Sequence, residues 1–272
     1  VAVDAGQVHV VAGLALGLSA FISTPAEAHR RWLLPSMTVF SGESATAAVD
    51  AASSNQLFVF EHRGMALDNL TVTGPDGQPV QPKIIGSSDL RSAFDVPLTK
   101  QGTYRIAVAS SGLMGSYELN GQRQRWRGTK EELANIPAGA TNVQVSDNSS
   151  RTETFVTLGA PNDTALKPTG RGLEMVPLTP PSDLAAGEPA KVRFLLDGKP
   201  VGDLKVEFIE GGTRYRNADD AQDLVTDAKG ELTLNAKQAG MYYLEASHAV
   251  EGKDGQPGRR ASYAAVLEFL PL

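Results

Sequence analysis

The chain of 272 residues contains no cysteine, which excludes a disulfide framework and every thiolate metal site. Export to an oxidising compartment is therefore neither supported nor opposed by redox chemistry. Helical periodicity is nearly absent as well. No Gly-x-Ser-x-Gly elbow, phosphate loop, His-Glu-x-x-His pair or dinucleotide fingerprint occurs. Asp219, Asp220 and Asp223 lack the glycine and terminal glutamate of a calcium loop. These gaps leave no catalytic constellation, and the chain reads as a non-catalytic protein. Positive charge is also in short supply: 25 Lys and Arg face 31 Asp and Glu, a formal charge of −6. That balance argues against nucleic acid or an anionic membrane as the main partner.

What is present begins with an apolar run from Val8 to Ile22, the length of a signal-peptide core and short of a membrane span. Ala26-Glu27-Ala28 follows, with small residues at the two positions a signal peptidase reads. The region before the run carries Asp4 and no Lys or Arg, and Val1 stands where an initiator Met would be. We expect residues 1–28 to be a signal peptide and the protein to be periplasmic, with no transmembrane segment in the mature chain. Cleavage after Ala28 leaves 244 residues, enough for one large or two ordinary cores. It also makes His29 the first residue. A free α-amino group and the imidazole of the same residue chelate a metal together, which no internal histidine does.

From His29 onward the pattern is that of strands, and the expected fold is all-β. Short runs at Trp32–Pro35, Thr38–Phe40, Ala45–Val49 and Leu57–His62 come first. Thr71–Thr73 leads into the turn Gly74-Pro75-Asp76-Gly77, and strands resume at Val80–Ile85, Phe94–Leu98 and Gly102–Val108. Residues 112–150 interrupt the pattern with the basic stretch Gln122–Arg127. Thr129 and Glu132 there have capping-box spacing, for a short helix that Pro137 closes. Thr152–Leu158 completes a first domain, 29–159, expected to be an immunoglobulin-like sandwich. Gly159–Gly172 is the candidate linker. Residues 171–272 repeat the strand pattern, with an Asp197-Gly198 hairpin turn. They are expected to form a small sandwich of the prealbumin or carboxypeptidase-regulatory kind.

Four stretches resemble the bacterial domain-of-unknown-function 4198 family, often labelled a periplasmic component of an ABC-type cobalt or nickel transport system. They are AHRRWLLPS, ETFVTLGAPN, RGLEMVPLTPPSDLAAGEPAKVRFLLDGKPV and TDAKGELTL with AGMYYLEASH. The third is the most specific, through its arrangement of Glu174, Pro177, Gly187 and Gly198. The resemblance implies an exported two-sandwich protein concerned with transition-metal handling, with a membrane transporter or outer-membrane receptor as partner.

Without cysteine, histidine and carboxylate are the remaining strong ligands, and imidazole suits Ni, Co, Cu, Zn and Fe. After the leader only His29, His62 and His248 remain. These three are the candidate ligands for a divalent transition metal (Ni, Co or Cu, with Fe or Zn as further options). Two other readings stay open: a copper protein in which an N-terminal histidine brace supports oxidative chemistry, and a metal-free envelope scaffold or adhesion module.

Overall fold

The structure is a computed structural model, described for residues 29–252 and 257–272; the expected leader at residues 1–28 lies outside the described residues. The chain runs through β1 (Arg30–Pro35), β2 (Val39–Phe40), β3 (Ala45–Ser54), β4 (Arg63–Gly64), β5 (Leu70–Thr73), β6 (Lys83–Ser87) and β7 (Ser92–Leu98). Two long strands with a shorter one between them follow: β8 (Gly102–Leu119), β9 (Gln122–Gly128) and β10 (Thr141–Leu158). Then come β11 (Leu173–Pro177), β12 (Pro189–Leu196), β13 (Lys199–Pro200), β14 (Lys205–Glu210), β15 (Gln222–Val225), β16 (Glu231–Asn235), β17 (Gly240–Val250) and β18 (Gly258–Phe269). The protein is all-β and its sheets pack as sandwiches. Among the described residues the helical pieces are short 3-10 turns.

The strands make three sheets. The first has the order β1-β3-β7-β6, with β4 on β3; the third is β11-β12-β13, with β16 on β12. Between them lies a nine-stranded sheet of order β15-β14-β17-β18-β10-β8-β5, to which β2 and β9 are added. Strand alternation gives this central sheet two apolar faces. On one, Tyr104, Ile106 and Val156 pack with Leu33, Val49, Phe94 and Val96 of the first sheet. On the other, Phe155, Phe208, Leu244 and Tyr263 pack with Met175, Val192, Phe194 and Leu234 of the third. The result is three layers in which the middle one draws strands from both halves of the chain. Its seam is β10 against β18, nine residue pairs in parallel from Ser146↔Gly258 to Thr154↔Val266.

Several local expectations hold. The box at Thr129 closes in both directions: the Thr129 amide donates to Glu132 Oε2 at 2.8 Å and the Glu132 amide to Thr129 Oγ1 at 3.4 Å. The helix it opens is a 3-10 turn, Glu131–Asn135. Asp197 and Gly198 have φ of 49° and 77°, the left-handed pair a two-residue hairpin needs. Two expectations fail. Residues 112–150 do not interrupt the strands; β8 and β10 run on for 18 residues each, paired as an arm that carries β9. Leu57–His62 is not a strand. Phe58 has φ of 62°, and the segment is a loop whose apolar residues cap the core instead of alternating across a ladder.

A buried ionic network fixes the segment between the halves. Glu153, 1 % exposed, accepts from Arg151 at 2.8 Å and from the Tyr263 hydroxyl at 2.9 Å, with Arg105 Nε 3.7 Å away. Arg105 also donates to the Lys167 carbonyl at 3.0 Å. Glu174 accepts from the backbone amides of Thr169, Gly170 and Arg171 and from the Thr169 hydroxyl. Burying such charges is tolerable because each carboxylate is paired and hydrogen-bonded. Burial pushes the Tyr263 hydroxyl well above the usual phenol range, and the Glu153 charge adds to that; it stays a donor.

Candidate functional site

The site grows from Trp32 on β1. Trp32 is fully buried in a small core with Ala52, Leu57, Ile209, Tyr243 and Val266. Its indole donates to Ser54 Oγ at 3.0 Å, and that hydroxyl donates to the Gln56 carbonyl at 2.6 Å. Phe58 meets the indole edge-on at 5.7 Å and Phe60 lies tilted at 5.3 Å, favourable aromatic geometries. Glu61 ties the loop shut by accepting from the amides of Asn55 and Gln56 at 2.5 and 3.3 Å. The loop is therefore clamped over Trp32, which places His62 beside the start of β1.

That placement brings two of the three sequence candidates together. The rings of His29 and His62 stack with centroids 3.6 Å apart and planes 18° from parallel. Both residues are exposed. His248 is elsewhere. It pairs with Ala261 on β18, and alternation along β17 puts it on the side of Ala246, the face covered by the third sheet. His29 borders a cleft of about 560 Å³ whose other walls include Glu207, Asp223 and Glu245. Among the described residues no group of three or more His, Cys, Asp or Glu is arranged to hold a metal ion.

Arg30 accounts for Glu207 and Glu245, though not for Asp223. It donates to Asp219 at 2.7 Å and to Glu207 at 3.5 Å, with Glu245 at 3.9 Å. Glu207 and Glu245 are cross-strand neighbours. Burial raises the Glu245 carboxyl above the ordinary range and the Glu207 charge raises it further, against the hydrogen bond from Tyr243 and the charge of Arg30. The acids belong first to Arg30 and only then to any incoming cation.

Two imidazoles are thus the donor set. Metal–nitrogen bonds are about 2.0–2.1 Å long, so two nitrogens on one ion sit roughly 3 Å apart, within reach of this stack. Near-parallel rings direct their lone pairs along near-parallel planes, so one ring must turn about its side-chain torsions for both to meet a single ion. Exposure allows that turn. Sequence reading identified the histidines but not what positions them: Trp32, Phe58, Phe60 and the Glu61 carboxylate. Tryptophan scarcity, two in the chain, was the one available signal.

The model of the family described as a domain of unknown function, DUF4198, matches residues 26–250. The chain belongs to that family. No curated protein matches it. Among solved structures, it is similar to the D0-D1 domain of intimin (12 % identity, 88 % of this chain and 97 % of that one, TM-score 0.21). The D00-D0 domain of intimin gives 12 % identity over 89 % and 100 %, TM-score 0.21. The FN1-FN3 domains of chicken CNTN1 give 9 % over 89 % and 99 %, TM-score 0.24. At these TM-scores the likenesses carry no inference about what this DUF4198 member does.

Proposed function

We propose that this protein is an exported, non-catalytic transition-metal-binding protein that holds a divalent ion such as Ni, Co or Cu between His29 and His62, for passage to a membrane transporter or receptor. The observation that carries the reading is the stacked pair: two of the three histidines after residue 28, 33 positions apart, meet at the surface where the loop clamped over Trp32 reaches the start of β1. Cleavage after Ala28 adds a third nitrogen, the α-amine of His29, to the same spot. His248 has no part in this site. Neutral imidazole is the ligand form, so affinity falls as the medium is acidified.

Calorimetry with Ni, Co and Cu tests this on a chain beginning at His29, the same chain with one added N-terminal residue, and His62→Ala. We expect tight binding by the first and losses of about tenfold or more in the other two, one ligand bond each. Equal binding by all three removes the proposal. An α-amine, its own imidazole and a second imidazole are also the donors of a histidine brace, and the pair is solvent-exposed; this favours an oxidative copper protein as the second reading. Copper-dependent oxidation of a substrate, lost in His62→Ala, separates it from the first.

A further inference from the structure

The open part of the central sheet, on the His29 side and beyond the cover of the first sheet, has an unusual surface. The register sets Met114, Ser116 and Glu118 of β8 opposite Arg127, Arg125 and Arg123 of β9, so the three arginines share one face. On the same face, Ser110, Ser150, Ser262 and Ser247 form an unbroken row across β8, β10, β18 and β17. Ser110 and Ser150 hydroxyls lie 2.9 Å apart. One step further along the strands the row reads Gly112, Asn148, Arg260 and Ala249.

Two banks result. Arg123, Arg125 and Arg127 stand on β9 at intervals of about 7 Å, and Arg260 stands on β18, three strand spacings or about 14 Å away. Arg31 of β1 closes the end where the serine row lies. Between the banks the floor is small or polar apart from Met114, with Glu118 opposite Arg123 at one end and Glu251 on the wall of the larger cleft. Two adjoining clefts, of about 910 and 420 Å³, both include Arg260. All five arginines are exposed, and none forms an ion pair with a described residue. In a chain of net charge −6, this concentration of unpaired guanidinium groups is not a reflection of composition.

We infer that the trough binds an extended acidic glycan lying along β8 and β10. Guanidinium forks match carboxylate and sulfate oxygens, and the serine and asparagine floor offers donors and acceptors to sugar hydroxyls. Among the described residues the face carries no aromatic side chain between the banks, which disfavours single-stranded nucleic acid, whose bases stack on such platforms. Its exposed apolar side chains, Met114, Val143 and Val250, are scattered along the larger cleft and include none of the Trp or Tyr anchors on which protein interfaces depend. A width of three strand spacings admits one chain.

The test is calorimetry of the whole chain with an alginate oligosaccharide of about eight residues at low salt, with dextran, oligo-dT and polyglutamate of matched length beside it. We expect alginate to bind with a strong salt dependence, dextran not to bind, and the other two to bind more weakly. Arg125→Ala/Arg260→Ala should lose at least about tenfold, in keeping with two charge-assisted contacts. Arg214→Ala, an exposed arginine outside the trough, should change nothing. Arg123→Ala/Arg125→Ala, confined to β9 and the arm, serves as a second variant if the first unfolds. Failure of alginate to bind, binding unaltered in both double variants, or equal or tighter binding of oligo-dT or polyglutamate overturns the proposal. Because His29 and His62 are untouched, this outcome is independent of the metal titrations.

Discussion

On one face of the central sheet Arg105 and Arg151 are shut in against Glu153 and Glu174, whereas on the other Arg125, Arg127 and Arg260 are exposed with no carboxylate partner among the described residues. The residue type is the same and the strands are largely the same. What differs is cover. Where the third sheet excludes water, an unpaired guanidinium would cost several kcal/mol, so every cation there is met by a buried anion. Where no described residue covers the sheet, water solvates the charge and leaves it free for a ligand. Arginines on the covered face should therefore govern stability, and those on the open face binding.

The largest effect is expected at the covered face. Glu153→Gln removes the anion shared by Arg105, Arg151 and the Tyr263 hydroxyl, and should cost about 3–5 kcal/mol in urea unfolding, the usual loss when one partner of a buried pair is deleted. A loss under about 1 kcal/mol would mean water reaches the network. Glu174→Gln should cost less, about 1–3 kcal/mol, because its backbone partners at Thr169–Arg171 can turn to solvent; faster amide exchange in that segment is the accompanying sign.

Asp197 lies between the two extremes. Its hydrogen bond from Arg259 and the Gly172 amide hold its carboxyl below the usual range, against partial burial. A depressed carboxyl stabilises the fold above its unfolded pKa, and that contribution is lost as pH falls through the folded value. Asp197→Asn keeps a residue suited to positive φ and removes only the charge. It should cost a few tenths of a kcal/mol near neutrality, with the difference from the parent vanishing once acidification protonates the depressed carboxyl. Arg125→Ala and Arg127→Ala on the open face should shift stability by less than about 0.5 kcal/mol. A larger shift would place these arginines with the structural set and blur the contrast between the faces.

Much of this was legible from local pattern. The Asp197-Gly198 turn, the box at Thr129 and the strand at Phe94–Leu98 each depend on residues within a few positions, and each appears as expected. Leu57–His62 was misread because Leu57, Phe58 and Phe60 look like a strand rich in aromatics, while the left-handed backbone at Phe58 has no marker such as glycine. The length of β8 and β10 was hidden by serine, glycine and asparagine at 110–116 and 146–150, residues with poor strand propensity that are held by pairing. The parallel seam and the serine row depend on register between strands more than 100 residues apart. The histidine pair was half legible: scarcity named the three residues, but only the clamp on Trp32 decides that His62 joins His29 and His248 does not.

The seam of β10 with β18 bears on the order in which the polypeptide acquires its shape. Until Gly258–Phe269 has emerged, β10 and β17 each present a bare edge, and the middle layer cannot close however complete the earlier strands are. Edges left open in that interval are sites where another molecule could pair, so closure of the middle layer waits on the last strand and on a contact of long sequence separation.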